Sequence, residues 1–304
     1  MRVFVTGSAS CLAKVAIPLL AARPEVEAIT GIDIKPTHLK HPKLTTHVLD
    51  IRDPRLQEHM KGHDAVLHLA FIVKQGSLSA SDMRETNVIG GMNVVNAALS
   101  NEVRKFINLS SVSVYGSGID ITECSDPCPS STFVYACHKA ELETYVARHL
   151  SSAIQLRSHL IIGPNAQPFL IDMLRSRFWV SFNGMNKPRQ QVIHEDDVAT
   201  AIWQAVAAPV SVSGYFNLAA PDVIDLAGEY VKHGRRFVLP IPYSAVQSIV
   251  RLMKKVRPRD EYQWVEILGT SLTVRSDRAM RELRWEPANT AWQARSDAMA
   301  RRAA

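Results

Sequence analysis

Long hydrophobic runs are missing from this sequence. No stretch approaches the roughly 18 unbroken apolar residues that a membrane-spanning helix needs, which excludes that class of membrane protein. The N-terminus opens directly into the strand-like Met1-Arg2-Val3-Phe4-Val5 with no signal-peptide layout, so a cytoplasmic location is expected. Cysteine is scarce as well: of Cys11, Cys124, Cys128 and Cys137 only the middle two lie close together. No second pair or histidine set stands at zinc spacing, so no metal site and no disulfide framework is expected, and the thiols are read as reduced. Aromatic residues are not interleaved with the basic ones. The formal charge is +6, and residues 251–304 hold 12 Lys or Arg against 7 Asp or Glu, but these are spread along helical patterns. A solvated basic face fits better than a nucleic-acid surface. Repeats and low-complexity segments are absent.

What remains is a chain of 304 residues, 46% hydrophobic, sized for one large core with a smaller lobe. Short Val-, Ile- and Leu-rich runs at 2–6, 27–33, 44–49, 64–69, 104–110 and 153–161 alternate with longer helical patterns. That alternation predicts parallel strands joined by crossover helices, buried on both faces: an α/β, doubly wound Rossmann sheet. Beyond Gly163-Pro164 the pattern loosens, with a helix near 197–207, a strand at Tyr215–Leu218 and closing helices near 243–255, 277–284 and 289–302. Residues 1–163 and 194–220 are therefore assigned to a dinucleotide-binding domain, and 164–193 and 221–304 to a smaller α/β substrate lobe.

The first functional motif is the strand-to-helix turn Thr6-Gly7-Ser8-Ala9-Ser10-Cys11-Leu12-Ala13. Such a turn holds a pyrophosphate through backbone N–H groups and the helix N-terminus, here those of Ser10, Cys11 and Leu12. Only Gly7 of the usual glycine trio is present; Ser10 and Ala13 stand in the other two places. Asp33 follows the next apolar strand, 20 residues past the turn. A carboxylate there accepts the adenosine ribose hydroxyls and repels a 2′-phosphate, favouring NAD over NADP, although Lys35 weakens the preference. Asp50, beside Ile51, ends the third strand within reach of an adenine amino group, and Asp53 before Pro54 suits a helix cap. His68, a lone histidine on an apolar strand, reads as a core residue.

The densest constellation is Ser110-Ser111-Val112-Ser113-Val114-Tyr115-Gly116 at the fifth strand end, followed by Tyr135-Ala136-Cys137-His138-Lys139. A spacing of four puts Tyr135 and Lys139 on one helical face. An ammonium beside a phenol lowers the tyrosine pKa towards neutrality and makes a general acid/base for an alcohol or carbonyl. Ser111 supplies a second hydrogen bond to the reacting oxygen. Spacing alone is weak evidence; its place after a serine-rich strand end in a Rossmann series is not.

Along nearly its whole length the chain resembles the extended short-chain dehydrogenase/reductases of the NAD-dependent epimerase/dehydratase family. The resemblance rests on Thr6-Gly7, Asp33, Asp50, His68-Leu69-Ala70, Asn87-Val88-Ile89-Gly90, Ser111 with Val114-Tyr115-Gly116, Tyr135 with Lys139, Leu156-Arg157, Gly163-Pro164, His194-Glu195-Asp196-Asp197-Val198-Ala199, Phe216-Asn217-Leu218 and Leu283-Arg284-Trp285-Glu286-Pro287. It implies NAD as cofactor, held by Gly7, Ser10, Cys11, Leu12, Asp33, Asp50, Ile51, Leu69, Ala70, Asn87, Tyr135 and Lys139. It further implies Tyr135 as acid/base, Lys139 on the nicotinamide ribose, and Ser111 and Ser113 beside a small-molecule substrate. A homodimer is implied too, packed as a four-helix bundle through helices near 86–100 and 135–149.

Two departures bear on the substrate. Leu160 stands where nucleotide-sugar members carry a substrate-contacting asparagine, and Gln190 where an arginine commonly neutralises a pyrophosphate, with Arg189 or Lys187 as neighbours that compensate. Losing a charge-assisted phosphate contact is costly, which pulls the substrate away from an ordinary nucleotide sugar. Arg257-Pro258-Arg259-Asp260 is read as a charged surface loop. The expected chemistry is reversible hydride transfer at a secondary alcohol or ketone of a sugar-like substrate, with epimerisation and simple dehydrogenation of a smaller alcohol sharing one site. Dehydration ranks last, because Val112 and Ser113 replace the two acidic residues it requires. A non-catalytic NAD(H) sensor is the alternative from another class.

Overall fold

The structure is a computed structural model, and it describes residues 1–74, 76, 78–175, 178–183, 188–224, 237–242, 248 and 269–300. Seven parallel strands form the central sheet: β1 (Arg2–Thr6), β2 (Ala28–Asp33), β3 (Leu44–Val48), β4 (Ala65–His68), β5 (Lys105–Ser111), β7 (Ile154–Ser158) and β11 (Gly214–Leu218). Their spatial order is β3-β2-β1-β4-β5-β7-β11, so the chain winds outward from β1 in one direction and then the other. The order reverses at β1, between β2 and β4, and ligands of open α/β sheets bind at the carboxyl edge there. The expected Rossmann sheet is what the chain forms.

Side-chain alternation explains the two-faced burial. Val3 and Val5 of β1 enter one core with Ile29, Leu67 and Ile107, whereas Phe4 enters the other with Ile32, Val66 and Phe106. The first core is closed by α1 (Ala13–Ala21) and α7 (Glu195–Ala207). The second is closed by α2 (Leu56–Met60), α4 (Gly91–Ser100) and α5 (Val134–His149). α4 continues from α3 (Ala80–Arg84) through a π-helical turn, Glu85–Gly90. A serine–aspartate capping box, Ser79 with Asp82, starts this helical stretch.

Outside the sheet lie α6 (Pro168–Arg175), α8 (Asp277–Glu282), α9 (Ala291–Ala300) and three parallel strand pairs. The pairs are β8 (Ile161–Ile162) with β10 (Ile193–His194), β9 (Phe178–Asn183) with β12 (Phe237–Pro242), and β6 (Gly118–Ile121) with β13 (Leu272–Val274). The expected strand 153–161 is two pieces: the chain leaves the sheet after Ser158 and resumes as β8, paired elsewhere. Apart from Ser248, the helix expected near 243–255 and the loop 257–260 lie outside the described residues. Trp285, fully buried, donates from Nε1 to the Asp197 carbonyl at 2.8 Å, while the Asp197 carboxylate accepts Ala288 N and Asn289 N. That ties the Leu283–Pro287 run to the start of α7. Among the described residues no helix is long and apolar enough to cross a membrane.

Candidate active site

The turn after β1 is shaped by Gly7. Its φ of +75° suits glycine, and a Cβ there would come within 2.6 Å of Ala70 N, so the turn lies directly against the end of β4. Gly7 N and Ser8 N both donate to the Ile32 carbonyl, at 2.8 and 3.0 Å. Ser10 accepts Ala13 N, at the first residue of α1, on its hydroxyl at 3.3 Å, while Ala13 packs fully buried in the core. Asp33, at the end of β2, accepts Ala9 N at 3.0 Å and Lys35 N at 3.1 Å, which fixes its carboxylate beside the turn. A glycine cradle, a helix start that lines the cavity and a fixed carboxylate at a strand end together fit a dinucleotide.

The neighbouring expected contacts are more committed internally. Arg52 chelates the Asp50 carboxylate at 3.0 and 2.7 Å and holds it below the usual carboxylate range, and Ile51 is buried beneath it. Ala70 N donates to Thr6 Oγ1 at 3.3 Å, and Leu69 is buried on the cavity wall. Asn87, on the π-helical turn, accepts Ile72 N at 2.7 Å and donates to Ile72 O at 3.0 Å. Its amide clips the loop after β4, which carries Phe71. His68 hydrogen-bonds Thr6 Oγ1 through Nδ1 at 2.7 Å, and burial pushes it down to about 3, so it stays neutral inside the sheet.

Ser111, Tyr135 and Lys139 meet at the carboxyl end of β5. Ser111 Oγ accepts Ser113 N at 3.2 Å and Ser113 Oγ at 2.9 Å, and it hydrogen-bonds the Tyr135 phenol. One turn along α5, Lys139 Nζ donates to the Leu109 carbonyl at 2.6 Å and lies 3.6 Å from the Phe71 ring centroid. Phe71 also meets Tyr135 edge-on at 5.4 Å. The electrostatics correct one expectation. Tyr135 is not drawn towards neutrality in the free protein: burial pushes its phenol up to about 12, against the opposing Ser111 hydrogen bond. Burial also pushes Lys139 down to about 7, with Glu143 opposing. Desolvation outweighs the pairwise attraction because the lysine nitrogen, 5.8 Å from the Tyr135 ring centroid, is engaged by Leu109 and Phe71.

Comparison with known proteins decides the class. The family model described as "NAD dependent epimerase/dehydratase family" matches residues 3–219. The chain belongs to the NAD-dependent epimerase/dehydratase family. Members of this family are enzymes, and NAD is their cofactor. A search of curated protein sequences finds no match. Among solved structures, MoeE5 in complex with UDP-glucuronic acid and NAD is similar at 18% identity, with a TM-score of 0.78 over 98% of this chain and 97% of that one. UDP-glucose 4-epimerase from Thermotoga maritima, with UDP-glucose, gives 19% identity and a TM-score of 0.74 over 98% and 97%. DesIV, a dTDP-glucose 4,6-dehydratase from Streptomyces venezuelae with NAD bound, gives 20% and 0.76 over 98% and 96%.

A cavity of about 180 Å³ runs from Ser10, Cys11 and Leu12 past Tyr135 to Leu272. Leu160 and Ser113 line it, and so does Gln190, which is buried and donates its amide to the Thr270 carbonyl. Arg189 is exposed and is not among the residues that line the cavity; Leu272 N donates to its carbonyl and its own N–H donates to Ser271 Oγ. Lys187 lies outside the described residues. Among the wall residues that the sequence did not mark as site residues are Phe71, His159, Asn165 and Glu195. The carboxylate of Glu195 accepts Asn165 N at 2.9 Å and Asn165 Nδ2 at 2.8 Å, and burial raises its pKa. Gly163 marks this contact, since a Cβ there would strike Glu195 at 2.5 Å.

Proposed function

We propose that this protein is an NAD-dependent oxidoreductase that interconverts a secondary alcohol and its ketone, with Tyr135 as proton donor and acceptor. The observation that carries this reading is the convergence of Ser111, Tyr135 and Lys139 on one cavity whose other end is the Gly7 turn. Bound NAD supplies a two-electron acceptor for the carbinol hydride, becoming NADH and leaving a ketone.

The chain's own residues then have defined tasks. The Ser10, Cys11 and Leu12 segment at the start of α1 receives the pyrophosphate, and Asp33 receives the adenosine ribose. Tyr135 takes the substrate hydroxyl proton in oxidation and returns it in reduction. Ser111, already bonded to the phenol, holds the substrate oxygen at the same point. Lys139, fixed by the Leu109 carbonyl, reaches the nicotinamide ribose. Phe71 and Phe133 flank the Tyr135 ring, at 5.4 and 5.5 Å between centroids, and restrict water around it.

The test is Tyr135→Phe. Turnover of NAD or NADH with a substrate should fall by at least about a hundredfold, while calorimetric NAD binding persists. Retained turnover in this variant would remove Tyr135 from the mechanism. NAD binding without any turnover in the unaltered protein would favour a redox sensor instead.

A further inference from the structure

The cavity beside Tyr135 has polar side chains, yet several of them are already engaged within the protein, mostly by backbone groups. His159 is held at both ring nitrogens: Nε2 against the Leu272 carbonyl at 3.0 Å and Nδ1 accepting Leu160 N at 2.9 Å. Ser158 Oγ donates to the His159 carbonyl at 2.8 Å. Gln190 is spent on Thr270, and Asn165 and Glu195 on each other. Between these groups the wall is Phe71, Val112, Phe133, Leu160, Leu170 and Leu272.

A ligand entering this space meets mainly hydrocarbon, with the Ser111–Tyr135 oxygens, Ser110, Gln167 and one carboxylate as the polar points. It meets no arginine: among the described wall residues the basic groups are Lys139 and His159. Lys139 Nζ is taken by the Leu109 carbonyl, and burial pushes His159 down to about 4, so it is neutral at physiological pH. A sugar ring brings several hydroxyls that need partners, and a diphosphate brings charge that needs cations. Buried polar groups without partners are strongly disfavoured, and a phosphate opposite Glu195 is repelled. An apolar body needs neither.

We propose that this site takes an uncharged secondary alcohol or ketone with an alkyl or aryl body, in preference to a phosphorylated, hydroxyl-rich sugar. This rests on the oxidoreductase reading above. The oxidised carbon lies beside Tyr135, its hydride leaves to NAD, its hydroxyl proton passes to the Tyr135 oxygen in its phenolate form to regenerate the phenol, and the apolar body lies against Leu160, Phe133 and Leu272.

The experiment begins with calorimetric binding of NAD to the full chain. The NAD-saturated protein is then titrated with UDP, with UDP-glucose, and with a set of neutral alkyl and aryl secondary alcohols, and NADH formation is followed for each. The expected result is binding by members of the neutral set at least about tenfold tighter than UDP-glucose, with NADH formed only from the neutral set. Leu160→Asn should weaken the neutral ligands at least about threefold, because it places an unpartnered amide on the apolar wall. UDP-glucose binding as tightly as the best neutral alcohol overturns the proposal. So does an absence of binding by the whole neutral set, or a Leu160→Asn protein that binds neutral ligands unchanged. Failure of NAD itself to bind, or turnover that survives Tyr135→Phe, is a distinct outcome that removes the underlying oxidoreductase reading.

Discussion

Burial sets the direction in which Tyr135 works. With its pKa near 12, the phenol carries its proton throughout the neutral range and is ready to donate to a ketone. Alcohol oxidation needs the phenolate, whose fraction rises about tenfold per pH unit below the pKa. The kcat/KM for oxidation should therefore climb through pH 7–9, whereas that for ketone reduction should stay level; parallel pH–rate profiles check this, and a rising reduction limb would sink it. Ser10 offers a second prediction. Its hydroxyl occupies Ala13 N, a helix-start N–H that a phosphate could otherwise use. Ser10→Gly should tighten NAD binding by up to about tenfold, the worth of one charge-assisted hydrogen bond, at little loss in helix capping; calorimetry on the variant reads it. Tyr135, Lys139 and Ser111 were legible because residue type and short spacing carry their chemistry. Phe71 and the Asn165–Glu195 pair were not, because they join the site from separate crossovers, and only the order of strands in space puts them beside α5.

At the scale of elements, the reactive end of α5 is braced by a buried ion pair. Glu143, one turn beyond Lys139, accepts Arg157 Nε at 3.0 Å and Arg157 NH2 at 2.7 Å, with both side chains almost wholly buried. The same guanidinium donates to the Tyr115 hydroxyl at 2.8 Å and stacks on Tyr215, so β7 joins α5 to the turn that follows Ser111. Removing one partner strands a buried charge. Arg157→Met should cost about 3–5 kcal/mol of stability, and Glu143→Leu with Arg157→Met together should recover most of it; denaturant unfolding of the three proteins measures both. If the double replacement is as unstable as the single, the pair contributes by more than mutual neutralisation. Leu156-Arg157 was visible as a motif, but its partner was not. Likewise the apolar run 153–161 reads as one strand, and the break is invisible to periodicity because it comes from His159 binding Leu160 N. The β6–β13 pair joins residues about 150 positions apart, and no local pattern in either segment announces it.

Over the whole molecule, the positive charge of the C-terminal segment is largely neutralised where it is described. Arg275 pairs with Asp277, and Arg278 and Arg281 with Glu282, while Arg278 also donates to the Ser213 and Tyr215 carbonyls and so fastens α8 to β11. The surface that stands out instead is the outer face of α4 and α5. The two helices are joined by Tyr145 to Asn96 at 2.8 Å and by Arg84 to Glu141 at the α3 end. Along that face Ile89 is 39% and Leu99 40% exposed, with Met92 half-buried between them, at the i, i+3, i+10 positions of one helical side. We infer that two copies pair here as a four-helix bundle, which would also hold α5 and hence Tyr135 and Lys139 in place. A stable pairing needs roughly 800 Å² from each copy, and a single buried carboxylate on such a face is costly. Sedimentation velocity should find a two-chain species at micromolar concentration, and Ile89→Glu with Leu99→Glu should convert it to one chain while NAD binding is retained. A monomeric unaltered protein would remove the bundle, and a dimer indifferent to both charges would move the interface to another face.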